Sequence, residues 1–104
     1  MNLDSTGLPE NAIQSIRQVL SLFPAVEQAI LYGSRAKGSY RPGSDIDLTL
    51  KGEQLTYQNL LDIELALDDL LLPWKIDLAL HQQIDNSALL EHIARVGKTL
   101  YARC

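Results

Sequence analysis

The chain has 104 residues, 46% of them apolar, with nine basic against thirteen acidic side chains and a net charge of −4. That suffices for one small domain, expected across residues 1–104, whose core needs no disulfide. The negative balance argues against long nucleic acid as a direct ligand, the absence of eighteen consecutive apolar residues argues against a membrane span, and the single cysteine, Cys104, excludes an internal bridge or thiolate metal framework and fits a reducing cytoplasm.

In chain order, "MNLDSTGLPENAIQ" is polar and lacks the basic-then-apolar pattern of a secretory signal. Pro9 suits a first helical turn, and Ile13, Ile16, Leu20 and Phe23 then recur at helical spacing until Pro24. Val26 to Tyr32 reads as a buried strand ending at Gly33-Ser34. "SRAKGS" predicts one helical turn and "RPGS" a loop, and Asp45 to Lys51 alternates as a second strand. "QLTYQNLLDIELALDDLLL", free of Gly and Pro and closed by Pro73, predicts a helix of nearly twenty residues. "WKIDLAL" predicts a third strand, Asn86 caps a last helix running to Val96 before Gly97, and "KTLYARC" is an edge strand or irregular. The order implies an α/β (α+β) fold: a small mixed sheet of three to four strands with flanking helices. The first two strands are expected to be antiparallel neighbours, and the second and third to be parallel across a helical crossover.

The chemistry-bearing residues sit around the first two strands. Asp45 and Asp47, two apart on a strand, project from one face while Ile46, Leu48 and Leu50 point into the core. Adjacent carboxylates repel unless a cation lies between them, and oxygen-only ligands favour Mg²⁺ or Mn²⁺ over zinc. Asp77 is an acid within an apolar strand, costly unless paired or metal-bound. If its strand is the parallel neighbour, it lies beside the other two. A salt bridge to Lys75 or a solvated face is the plain alternative. Gly33-Ser34, after a strand and before a helical turn, lets backbone and hydroxyl approach a phosphate. "GSRAKGS" is not a Walker loop, because Ser39 stands where that motif has Lys.

Gly33-Ser34, ten residues, Asp45-Ile46-Asp47 and a later strand aspartate together resemble the DNA polymerase β-type nucleotidyltransferase superfamily. The fuller string "GSRAKGSYRPGSDIDL" resembles its smallest members, the minimal nucleotidyltransferases (MNT) paired with HEPN-domain toxins. The similarity runs roughly from Pro9 to Tyr101, with Arg35, Gly38 and Ser44 in expected places and Lys37 where Arg is more usual. The resemblance implies that Asp45 and Asp47 bridge two divalent cations (Mg²⁺, with Mn²⁺ as a substitute). Asp77 would help hold the catalytic one, and Gly33 and Ser34 would hold the phosphates of ATP. Arg35 is expected near the triphosphate. Ser44 is either a ligand or, more simply, shapes the turn into Asp45. Lys37 and Arg41 divide equally between function and a solvated basic turn.

A chain of this length leaves nothing over for a substrate domain, so the acceptor is expected on another molecule. The resemblance implies an antitoxin that transfers AMP from ATP to a tyrosine hydroxyl of a HEPN ribonuclease toxin. Two alternatives are a non-catalytic antitoxin that masks the toxin and a small-molecule nucleotidyltransferase of the antibiotic-modifying kind. An acidic enzyme suits a basic RNA-cutting partner. Leu60, Leu61, Leu65, Leu67 and Leu71 cover more than one face of the long helix and hint at contact beyond the domain. His81 and His92, without ligand-type neighbours at zinc spacing, are expected as loop and helix-surface residues. Trp74 is expected to pack on the core, and Asp62, Glu64, Asp68 and Asp69 to form a solvated helix face.

Overall fold

The computed structural model describes residues 6–103, so Cys104 and the first five residues lie outside it, together with the expectations that rest on them. Helix α1 (Glu10–Ser21) begins after Pro9, whose φ of −67° already suits a helix start, and buries Ile13, Ile16 and Leu20 on one face. Strand β1 (Gln28–Tyr32) runs to the single-turn helix α2 (Ser34–Lys37), and a loop leads to β2 (Ile46–Lys51). Helix α3 (Tyr57–Asp68) crosses to β3 (Ile76–Leu80), and α4 (Ser87–Val96) leads into β4 (Lys98–Ala102).

The strands form one mixed sheet in the order β3-β2-β1-β4. β1 pairs antiparallel with both β2 and β4, and β2 pairs parallel with β3. The expected mixed sheet with flanking helices is therefore present, and "KTLYA" is its edge strand. The long helix is shorter than the leucine run suggested. Thr56 and Asn59 form a reciprocal capping box that fixes its start. Its end comes where Leu70 and Leu71 donate to carbonyls three residues back and Leu71 takes a φ of 54°. That left-handed residue ends the helical path ahead of Pro73.

One core fills the space between the sheet and two helices. It joins Ile16 and Leu20 of α1, Ile63 and Leu67 of α3, Leu31 of β1, and Ile46, Leu48 and Leu50 of β2. Each such side chain is worth about 1.5–3 kcal/mol when fully buried. That pins the register: a slip of one residue in β2 would bury Asp47 and expose three large apolar groups. Helix α4 lies against β1 on the opposite face, where Tyr32 meets His92 of α4.

Candidate active site

The ladder itself assembles the acidic pair. Asp47 stands opposite Tyr32 on β1 and opposite Asp77 on β3, so all three share the sheet face away from the core. Asp45 lies just before β2 and is exposed. Burial lifts the Asp47 carboxyl above the ordinary carboxylate range, and the charges of Asp77 and then Asp45 lift it further. The Tyr32 hydroxyl is also raised, by burial first and then by Asp47 and Asp77. Negative potential is thus concentrated at one end of the sheet.

Gly33 closes this end. Its φ of 76° and ψ of −156° form a backbone conformation open essentially to glycine alone. A Cβ added here would collide with Oδ2 of Asp47. The turn that starts α2 is therefore held directly against the central carboxylate, with Ser34 as the first helical residue. The Gly33 N–H donates to Nε2 of His92 at 3.1 Å. His92 also meets Tyr32 edge to face, at 6.4 Å between ring centres and 81° between planes. Sequence reasoning placed His92 on a helix surface, because a histidine fifty-nine positions from Gly33 carries no local pattern that joins the two.

The oxygen-only donor set of Asp45, Asp47 and Asp77 suits Mg²⁺ or Mn²⁺, and the repulsion that raises Asp47 is what a divalent cation relieves. Among the described residues, no three His, Cys, Asp or Glu side chains already converge on a metal-sized point. Asp77 instead reaches Lys75, with Nζ and Oδ1 3.7 Å apart and both side chains more than half exposed, so the plain alternative for Asp77 holds in this conformation. Such an exposed pair contributes only about 0–1 kcal/mol and is easily surrendered.

The other expected contacts turn away from the carboxylates. Arg35 was expected near the triphosphate, but its side chain is 1% exposed. Its guanidinium donates to the carbonyls of Thr6 (2.8 Å), Ser44 (3.1 Å) and Pro42 (3.2 Å). It lies 5.0 Å from the Tyr40 ring centre and 5.5 Å from that of Trp74. A planar cation with several donors is what such a site needs, and it ties the loop before Asp45 to the body of the protein. Trp74 packs against the core while its Nε1 donates to the Pro42 carbonyl. The Ser44 hydroxyl accepts from the Arg41 N–H at 2.8 Å, and the Ser44 N–H returns a bond to the Arg41 carbonyl. These bonds make Ser44 a shaper of the turn. Lys37 and Arg41 are exposed, and His81 opens a short 3₁₀ turn after β3. A cleft of about 500 Å³ lies along α4, lined by Gln28, Ile30, Lys51, His81, Leu90 and Ile93 among others, and not by the carboxylates. Of the three carboxylates, Asp45 and Asp77 are exposed and Asp47 is half-buried.

The family model described as Polymerase beta, Nucleotidyltransferase matches residues 14–104. No curated protein is significantly similar in sequence. Solved structures share the fold. A chain of a toxin–antitoxin complex with AMP-PNP superposes with a TM-score of 0.69 at 23% identity, over 92% of this chain and 75% of that one. A chain of the complex between tri-AMPylated HEPN toxin and MNT antitoxin from Shewanella oneidensis gives 0.67 at 19% identity, over 90% and 72%. A putative nucleotidyltransferase from Sulfolobus solfataricus gives 0.51 at 20% identity, over 93% and 92%. Among the described residues no helix is long and apolar enough to cross a membrane. With its mixed sheet, its Gly-Ser turn against Asp47 and a family match over most of its length, the chain belongs to the polymerase β nucleotidyltransferase family.

Proposed function

We propose that the protein is an antitoxin that transfers AMP from ATP to a tyrosine hydroxyl of a HEPN-type toxin partner. The observation that carries the reading is the pairing of Asp47 with Asp77 across β2 and β3, beside the Gly33-Ser34 turn and just after Asp45. The fold likeness to complexes holding AMP-PNP and an AMPylated toxin supports the nucleotide and the acceptor. The exposure of Asp45 and Asp77 supports a macromolecular acceptor, since small-molecule sites bury most of their ligand in a concave pocket. The net charge of −4 suits a basic partner.

Asp45 and Asp47 would hold both divalent ions, and Asp77, released from Lys75, would join them. The ions supply charge neutralisation for the triphosphate and a lowered pKa for the attacking hydroxyl. Ser34 would offer its N–H and hydroxyl to the departing phosphates. The acceptor oxygen forms a bond to the α-phosphorus, the bond from that phosphorus to the bridging oxygen breaks, and pyrophosphate leaves. The hydroxyl proton passes to Asp77 or to solvent. Positioning and electrostatics account for most of the acceleration in such transfers.

Labelled ATP tests the reaction type. With partner and Mg²⁺ present, label from the α-phosphate is expected to stay on the toxin and label from the γ-phosphate to leave as pyrophosphate. Retention of γ-label would mean a kinase reaction. Tight binding with no label transfer would mean a masking antitoxin.

A further inference from the structure

Gly33 is gripped from two sides. Oδ2 of Asp47 packs where a Cβ would stand, and Nε2 of His92 accepts the Gly33 N–H at 3.1 Å. His92 is itself steadied by its edge contact with Tyr32 and by its place on α4, whose start is fixed by Asn86 accepting from Ala88 and Leu89. The Gly33 N–H lies on the Tyr32–Gly33 peptide, and the next peptide carries the Ser34 N–H. Rotation about the Gly33 backbone between them would swing the Ser34 N–H and hydroxyl relative to Asp47, and glycine's freedom makes that rotation cheap unless something holds it.

We propose that His92 is a positioning residue of the phosphate turn. By holding the Gly33 N–H, it fixes the peptide so that Ser34 presents its donors toward the carboxylates. It acts through Gly33 and touches no reacting atom. The inference rests on the nucleotidyl-transfer reading and adds to it a residue from the last helix, outside the Gly-Ser and Asp-Ile-Asp segment. One consequence is specific: His92 governs how well nucleotide is seated, not how fast seated nucleotide reacts.

The test compares wild type with His92→Ala and His92→Gln, whose side-chain carbonyl can accept the same N–H. Four quantities are read: the Kd for Mg²⁺–AMP-PNP, the KM and the kcat for ATP during modification of the partner, and hydrogen exchange at the Gly33 amide. His92→Ala is expected to raise Kd and KM about two- to tenfold, the range of one net hydrogen bond, with kcat at saturating ATP nearly unchanged and faster exchange at Gly33. His92→Gln is expected to recover part of each change. Unchanged nucleotide affinity in His92→Ala, even with lowered thermal stability, overturns the proposal and leaves His92 a packing residue. Tighter binding also overturns it, since His92 would then compete with phosphate for the Gly33 N–H. Failure of the wild type itself to bind nucleotide overturns the nucleotidyl-transfer reading first.

Discussion

Asp47 carries the electrostatic cost of the candidate site. Its carboxyl is raised by burial, Asp77 and Asp45, so the native state holds that proton more tightly than the unfolded chain does. This group's contribution is therefore favourable below the ordinary aspartate range and is lost as pH rises through the raised value. At neutral pH the ionised group is a net cost. Asp47→Asn is expected to melt higher than wild type near about pH 7, with the advantage shrinking toward about pH 4; on the proposed function it is also expected to lose transfer activity and to gain no stability from added Mg²⁺, which is expected to stabilise wild type. Thermal melts across pH, with and without the ion, check the stability predictions, and the labelled-ATP assay checks the activity. Gly33→Ala is expected to abolish activity, because the new methyl meets Asp47 and the positive φ strains any other residue. Arg35 makes the opposite case. Arg35→Lys is expected to cost about 2–4 kcal/mol, since an ammonium cannot serve three carbonyls set by a planar fork. If Arg35 were chiefly a phosphate ligand, the melting point would stay and the KM for ATP would rise.

Helix α3 separates what leucines reveal from what they conceal. Ile63 is fully buried, while Leu65, two residues on, is 65% exposed and Leu61 is exposed beside it. Ile63→Ala is expected to cost about 2–5 kcal/mol, whereas Leu65→Gln should stay within about 0.5 kcal/mol; denaturant titration of both checks it. The alternation in β2 made that strand legible, because period two with one apolar face leaves little choice of register, and β1 was legible as a short apolar run before Gly33-Ser34. The ends of α3 were less legible. The capping box of Thr56 and Asn59 emerged only in the structure, and the left-handed Leu71, close to the start of β3, has no composition signal.

On the scale of the whole molecule, Asp45, Asp47 and the Gly33-Ser34 turn stood out as a candidate site because their spacing falls within one short stretch. Their mutual placement was readable only through Asp77, once a parallel β3 was expected. His92 and the true place of Arg35 were not readable, because both depend on partners brought near by the fold: Gly33 by the packing of α4 on β1, and Thr6, Pro42 and Trp74 by the closure of the loop. On the proposed function, this arrangement moves AMP onto a protein acceptor. The most direct measurement is the intact mass of the HEPN-type partner after incubation with this protein, ATP and Mg²⁺. A mass gain of one or more AMP units, absent with Asp47→Ala, is the predicted result; a partner that stays unmodified while bound in a stable complex would contradict it.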